Sequence, residues 1–321
     1  TIYVGGGTPS LLAPEEVADL MAACRAAFHV DTDAEISLEM NPESTTAFYV
    51  DAVLDAGVTR LSFGVQSFHD HELARLGRRH SAAQARKALA AARQAGCNNL
   101  SLDLMLWLPA QTRDDCAASV DALVELEPDH ASLYMLELYP NAPLREDMAR
   151  AGWSLAPDED AAAMYIDTLT RTDAAGYEHY EISNVALAGK RCRHNLKYWQ
   201  DGEWLGFGCG AHSTREGCRW KNVAETNRYV EAIDRGEPVF IDHRQLPGSE
   251  RLGDALFTGL RLVDGLDLDV IKRRYGADVL TSYGPALSPF LEAGLLVHRA
   301  DRLKLTREGM LVANEIMGAF V

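Results

Sequence analysis

Several signatures of common protein classes are missing from this sequence. Its six cysteines are widely spaced and include no CxxC pair, and a chain of 321 residues with so few cysteines does not suit a disulfide framework. Cys24 and Cys116 fall on the apolar faces of predicted helices, which is typical of buried thiols in a reducing compartment. We therefore expect a cytoplasmic protein.

Basic charge and long apolar runs are also scarce. Lys and Arg number 31 against 47 Asp and Glu, which gives a net charge of −16. Such a surface repels a phosphate backbone, so we expect no nucleic-acid partner. No apolar run reaches the roughly 18 residues of a membrane span. These residues also include no basic-then-apolar pattern typical of a signal peptide.

The familiar phosphate-binding loops are absent as well. The chain opens with TIYVGGGTPSLL, in which a β-prone run leads into three glycines. The run is neither GxGxxG nor followed by Gly-Lys-Ser/Thr, which excludes the dinucleotide and Walker motifs. Two interpretations remain open, a tight strand-to-helix turn or a backbone that a ligand can approach closely.

What the sequence does contain is an alternation of strand-like and helical segments. Ser81 is a candidate cap for a helix that Gly96 ends. Repetition at intervals of roughly 25–40 residues predicts βαβ units, hence an α/β fold with a parallel sheet, either doubly wound or a barrel. The predicted strands are TIYVG (1–5), EISLEM (35–40), RLSFGVQ (60–66), NLSLDLML (99–106), ASLYMLEL (131–138) and HYEIS (179–183).

Composition divides the chain into three parts. Residues 1–185 carry the α/β alternation, and residues 186–225 are rich in Gly, His and aromatics and predict irregular structure packed on the sheet. Residues 226–321 predict a helical domain with a small β wing, in which 295–298 pairs with 303–305 and a helix follows from Arg307.

Polar residues recur near the ends of the predicted strands. Glu39 lies near the end of the second strand and Gln66 ends the third, Asp103 lies inside the fourth, and Arg78 follows Gln66 on a helical segment. Because the carboxyl ends of parallel strands form the ligand face of such folds, these side chains predict a small-molecule site. A carboxylate such as Asp103 within so apolar a run needs a partner or a ligand.

The segment RHNLKYW (193–199) is the second candidate site. His194, Asn195, Tyr198 and Trp199 suit either a loop that packs its aromatics on the sheet or a contact with a flat ligand, with His194 able to coordinate a metal centre. A zinc site of Cys192, His194, Cys209 and His212 is a weaker alternative because its spacing is irregular.

Eight motifs are spread in order over nearly the whole chain: YVGGGTPSLL, LEMNPE, GVTRLSFGVQSF, LGRRH, AGCNNLSLDLMLWLPAQT, YEISNVA, CRHNLKYW and GFGCGAHS. Taken together, they resemble the radical S-adenosylmethionine family, in the group related to oxygen-independent coproporphyrinogen III oxidase. Within that group, HNxxYW and LTREGMLVANEI favour the heme-chaperone branch.

The resemblance implies a partial (β/α) barrel that binds S-adenosylmethionine. The family's glycine motif would match Gly6, Gly7 and Thr8. Its polar contacts would match Glu39, Gln66, Arg78 and Asp103, with Arg78 on the ligand carboxylate. His194 would contact heme, beside Asn195, Tyr198 and Trp199, while His69, His80 and His212 stay open as alternatives.

Two departures from the family pattern stand out. The CxxxCxxC loop that ligates a [4Fe-4S] cluster belongs just upstream of the strand at Thr1. It is absent here through truncation, disorder or genuine loss, and we expect one of the first two. If the loss is genuine, no radical forms, which leaves enzymatic activity undecided. Trp107 also stands where relatives usually have glycine, and it would either narrow the site or pack beneath it.

Three functions follow from the resemblance. The first is a heme chaperone that binds S-adenosylmethionine and heme, works with a reductant for its cluster and delivers heme to haemoproteins. The second is oxidative decarboxylation of coproporphyrinogen III, and the third is a cluster-less barrel that acts as a binding protein.

Overall fold

The computed structural model describes residues 1–321, which form two compact units, Thr1–His194 and Asn195–Val321. The boundary falls inside the helix that carries RHNLKYW. The three-part division at residues 185 and 225 stays a prediction from composition.

The first unit contains a seven-stranded sheet in the order β1-β2-β3-β4-β5-β7-β6. The first five strands are parallel, as predicted, whereas β7 runs antiparallel to both β5 and β6. Apolar residues of the central strands, such as Leu61 and Leu102, are fully buried, which explains their unbroken apolar character. The strands are β1 (Ile2–Val4), β2 (Ile36–Met40), β3 (Arg60–Gln66), β4 (Leu100–Leu106), β5 (His130–Met135), β6 (Glu178–Glu181) and β7 (Asn184–Ala186).

Helices connect these strands, and short 3₁₀ turns lie at Pro9–Leu11 and Pro42–Ser44. The helix at 82–94 begins as predicted, because the Ser81 side chain accepts a hydrogen bond from the Gln84 amide, and the left-handed Gly96 follows its end. The helices are α1 (Pro14–Ala27), α2 (Ala47–Asp55), α3 (Asp70–Arg75), α4 (Ala82–Gln94), α5 (Arg113–Glu125), α6 (Pro143–Ala151), α7 (Asp158–Ala174) and α8 (Arg193–Trp199).

The second unit contains two three-stranded sheets and six helices. One sheet has the order β10-β9-β8 and the other β11-β13-β12. The strands are β8 (His212–Arg215), β9 (Cys218–Asn222), β10 (Phe240–Gln245), β11 (Leu266–Asp267), β12 (Leu296–Arg299) and β13 (Arg302–Leu305). The helices are α9 (Thr226–Arg235), α10 (Gly248–Gly259), α11 (Leu268–Tyr275), α12 (Val279–Glu292), α13 (Arg307–Leu311) and α14 (Ala313–Met317), followed by a 3₁₀ turn at Gly318–Phe320.

The predicted wing is confirmed and one predicted loop is corrected. β12 and β13 pair across Ala300, whose φ of 52° makes the tight turn, and α13 begins at Arg307. Segment 186–225 is not simply irregular, since it contains α8 and the hairpin β8–β9. Glycines in this segment made the strands hard to recognise, because glycine is typical of turns. Gly217, with a φ of 76°, lies in the turn between β8 and β9. No helix of the structure has the length and apolar character needed to cross a bilayer.

Candidate S-adenosylmethionine cavity and the segment at His194

The glycine run after β1 forms a tight turn, and the close approach of a ligand to its backbone stays a prediction. Gly6 and Gly7 have φ values of 80° and 79°, in the left-handed region that favours glycine. Gly5 is needed for space, because a Cβ there would lie 2.5 Å from Tyr3 Cε1 and 2.9 Å from the Glu39 carboxylate. The run is therefore both a tight turn and a close approach of the backbone to a carboxylate.

A cavity of about 190 Å³ opens beside this turn, where the carboxyl ends of the parallel strands meet. Its walls contain six of the seven residues predicted to hold S-adenosylmethionine. The seventh, Gly6, donates its amide to Glu39 Oε2 over 3.1 Å. The lining residues are Gly7, Thr8, Pro9, Glu39, Met40, Asn41, Ser62, Gly64, Gln66, Arg78 and Asp103.

Both oxygens of Glu39 are held in place. The Tyr3 hydroxyl donates to Oε1 over 2.8 Å, and the Gly6 amide donates to Oε2. Burial and the neighbouring Glu39 charge raise the pKa of Tyr3 well above its ordinary value, so Tyr3 stays a donor at any ordinary pH. Glu39 therefore faces the cavity as a fixed acceptor.

Asp103 is the second carboxylate of the cavity. Burial, together with the charge of Glu39, raises its pKa from 3.8 to about 6, although hydrogen bonding to Ser132 opposes the rise. The Ser62 hydroxyl lies 3.5 Å from Asp103 Oδ1. Two carboxylates beside one cavity suit a ligand that brings hydrogen-bond donors such as hydroxyl and amine groups.

Gln66 is held in an unusual conformation at the end of β3. Its φ of 69° is left-handed, and the Tyr134 hydroxyl donates to its Oε1 over 2.9 Å. Gly64 leaves room for this side chain, since a Cβ there would lie 3.0 Å from Gln66 Nε2. An outlier of this kind at a cavity is typical of a binding position.

Sequence reasoning missed the residues that position the cavity. Tyr3 and Tyr134 act on Glu39 and Gln66, and neither has a motif of its own. The available signal was a tyrosine inside each strand, because a tyrosine that is taken out of water needs a partner for its hydroxyl. Trp107 does not line the cavity, since its indole nitrogen donates to the Ala156 carbonyl over 2.8 Å. Its φ of 61° is in the region that favours glycine.

His194 lies in the first unit against β1. Its ring stacks on Tyr3 with centroids 4.9 Å apart, and its Nδ1 is 3.0 Å from Thr1 Oγ1. The buried Glu35 carboxylate accepts the backbone amides of Arg193 over 3.0 Å and His194 over 2.9 Å. The start of α8 is thereby fixed by a charged hydrogen-bond acceptor.

The other residues of the motif belong to the second unit. Tyr198 packs edge-on against Trp204 with centroids 4.7 Å apart, and the guanidinium of Arg261 lies 4.4 Å from the centre of Trp199. Asn195 is half-buried. These contacts agree with the interpretation that Tyr198 and Trp199 pack against neighbouring side chains. A ligand site that they share with His194 stays a prediction.

The alternative histidines have different surroundings. His80 is buried, with Nε2 3.0 Å from the Val65 carbonyl and Nδ1 3.4 Å from Glu43. His69 Nε2 is 3.1 Å from the Asp115 carbonyl, and His212 is exposed on β8. Cys192 and His194 lie in the first unit, whereas Cys209 and His212 lie in the second, so the zinc alternative stays a prediction.

The residues that line the cavity suit S-adenosylmethionine, whereas the cysteines of this chain do not form a ligand set for a [4Fe-4S] cluster. Acceptors, amides and one guanidinium line the cavity, which matches a ligand with a carboxylate, an amine and ribose hydroxyls. All six cysteines are free thiols and none lines the cavity, so these residues provide no ligand set for a [4Fe-4S] cluster.

Comparison with known proteins places this architecture in a class. Residues 1–123 match the radical SAM superfamily, and residues 246–312 match the HemN C-terminal domain. The solved structure of coproporphyrinogen III oxidase (HemN) from Escherichia coli, a radical SAM enzyme, has a TM-score of 0.85 at 22% identity, over 99% of this chain and 76% of that one. This likeness confirms the predicted fold, a partial barrel with a C-terminal domain.

Curated relatives narrow the class. The heme chaperone HemW of Mycobacterium tuberculosis is 39% identical over 99% of this chain and 79% of its own length. That of Bacillus subtilis is 34% identical over 100% of this chain and 85% of its own. The chain therefore belongs to the HemW family within the radical S-adenosylmethionine superfamily.

Proposed function

We propose that this chain is a heme chaperone that binds S-adenosylmethionine in the cavity of its first unit and delivers heme to haemoproteins. The observation that carries the proposal is the convergence of the predicted side chains on one cavity, in a chain whose relatives of 34–39% identity are named heme chaperones.

The cavity residues have distinct roles toward S-adenosylmethionine. Arg78 would pair with the ligand carboxylate, while Glu39 and Asp103 would accept from its amine and ribose hydroxyls. The glycine turn lets the backbone contact the methionyl part without a Cβ in the way. S-adenosylmethionine supplies a 5′-deoxyadenosyl radical when it is bound beside a reduced cluster, whose cysteine ligands this chain does not contain.

His194 would provide the heme contact. Its imidazole would provide a nitrogen ligand for heme iron, and Glu35 and Tyr3 hold its backbone and ring. Because Tyr3 also donates to Glu39, one side chain contacts both the proposed heme residue and the wall of the cavity.

Heme transfer tests the proposal. The chain would be titrated with hemin and followed by Soret absorption, and the heme-loaded chain would then be mixed with apomyoglobin. We expect saturable binding, weakened at least about 10-fold by His194→Ala, and a myoglobin spectrum after mixing. His29→Ala, at an exposed histidine, is the matched control.

Two outcomes would contradict the proposal. One is an absence of saturable heme binding or of transfer. The other is formation of protoporphyrinogen IX from coproporphyrinogen III under anaerobic conditions by a form of the protein that carries the CxxxCxxC loop, which would support the oxidase function instead.

A further inference from the structure

A second cluster of metal-binding side chains lies outside the cavity, between α3 and α5 of the first unit. One ligand atom from each of His71, Glu72 and Asp115 lies within 4.8 Å of the others. We propose that these three residues bind one divalent first-row metal ion, with Zn²⁺ as the best match to their chemistry. The proposal is independent of the chaperone function.

Glu72 is the observation that points to a ligand. Its side chain is 0% exposed, and its Oε2 accepts a hydrogen bond from the Ser67 hydroxyl. Its Oε1 is buried and has no hydrogen-bond partner. An unpartnered carboxylate oxygen in such a place is costly unless a cation or a donor satisfies it. A metal ion between Glu72 and its two neighbours would do so.

Asp115 is positioned to share that ion. Its Oδ2 accepts from the Thr112 amide over 3.0 Å and from the Thr112 hydroxyl over 2.6 Å, which fixes the carboxylate at the start of α5. His69 fixes the same turn through the Asp115 carbonyl.

His71 would complete the site from the solvent side. It precedes Glu72 on α3 and is exposed, so its ring can turn toward the two carboxylates without disturbing the core. Because metal–ligand bonds are about 2 Å long, the three ligand atoms need only a small inward adjustment from their present separations. One imidazole, two carboxylates and water suit Zn²⁺, with a solvent-facing position left open.

Titration calorimetry of the intact chain with ZnCl₂ tests the site. We expect one equivalent to bind, with affinity lowered at least about 10-fold in each of His71→Ala, Glu72→Gln and Asp115→Asn, since even indirect perturbations of metal sites cost about 10–100-fold. His71→Ala changes only an exposed side chain, which keeps the test informative if Glu72→Gln folds poorly. His29→Ala is the matched control, because His29 is an exposed histidine beside a carboxylate.

Cobalt(II) distinguishes this site from the free thiols of the chain. We expect the visible bands of nitrogen and oxygen ligation, without a thiolate-to-metal charge-transfer band, and their loss in His71→Ala. Zinc affinity that is unchanged in all three variants, the absence of a bound equivalent, or a thiolate charge-transfer band would each overturn the proposal.

Discussion

Replacing Asp103 by asparagine tests the idea that the cavity is built for a ligand at a cost in stability. The carboxylate lies on the cavity wall beside Glu39, and burial raises its pKa from 3.8 to about 6. The folded chain therefore holds a proton at Asp103 in the pH range where the unfolded chain has released it. Asparagine keeps the shape of the side chain and removes this ionisation.

The sign and size of the effect follow from linkage. Because the folded state binds the extra proton, stability falls as pH rises from about 4 to about 6, and it stays lower above that range. The full rise in pKa corresponds to about 3 kcal/mol, which is an upper value because the carboxylate borders an open cavity. At pH 7 Asp103→Asn should thus stabilise the first unit by about 1–3 kcal/mol, and at pH 4 by almost nothing.

The chain has two units, so a local measurement is needed. Hydrogen exchange of amides in β4 and β5, read by mass spectrometry at pH 7 and at pH 4.5, reports the opening free energy of the first unit. Asp51→Asn, at an exposed position of α2, is the control and should change little at either pH. The reasoning would be refuted if Asp103→Asn destabilised the unit at pH 7, or if its effect were the same at both pH values. The same variant should weaken S-adenosylmethionine binding by roughly 10-fold or more, because it removes a charged hydrogen-bond acceptor.

Three further substitutions probe the surroundings of Glu39 and His194. Tyr3→Phe leaves Glu39 Oε1 without its donor, so we expect a loss of about 1–3 kcal/mol in the first unit by hydrogen exchange, and an unchanged value would contradict the assigned hydrogen bond. Gly5→Ala places a Cβ 2.5 Å from Tyr3 Cε1, so the stability of the first unit should fall by about 1–3 kcal/mol. The affinity for S-adenosylmethionine, measured by calorimetry, should fall as well. An unchanged affinity for S-adenosylmethionine would contradict the expected steric conflict at this turn. Glu35→Gln replaces the charged acceptor of the Arg193 and His194 amides. It should weaken heme binding in Soret titrations but not S-adenosylmethionine binding, and the reverse pattern would refute its assigned role.

The position of the cavity could be predicted because the carboxyl ends of neighbouring parallel strands lie at the same edge of the sheet. Glu39, Gln66 and Asp103 lie on consecutive parallel strands, so their side chains had to meet near one edge of the sheet. The glycine run and the wing at β12 and β13 were equally readable, because both depend on local chain geometry.

The supporting contacts could not be predicted, because they join residues that are distant in sequence. The hydrogen bond from the Tyr134 hydroxyl to Gln66 spans 68 residues, and the one from the His194 amide to Glu35 spans 159. No periodicity or motif records such a pairing. The hairpin within 186–225 was missed for a different reason, since its strands are short and polar and its glycines mimic irregular chain.

A crystal structure of this chain with S-adenosylmethionine tests the central claim most directly. We expect the ligand to occupy the cavity, with its carboxylate at Arg78 and its hydroxyl and amine groups at Asp103 and Glu39. A ligand bound at another surface, with the cavity left to solvent, would contradict it.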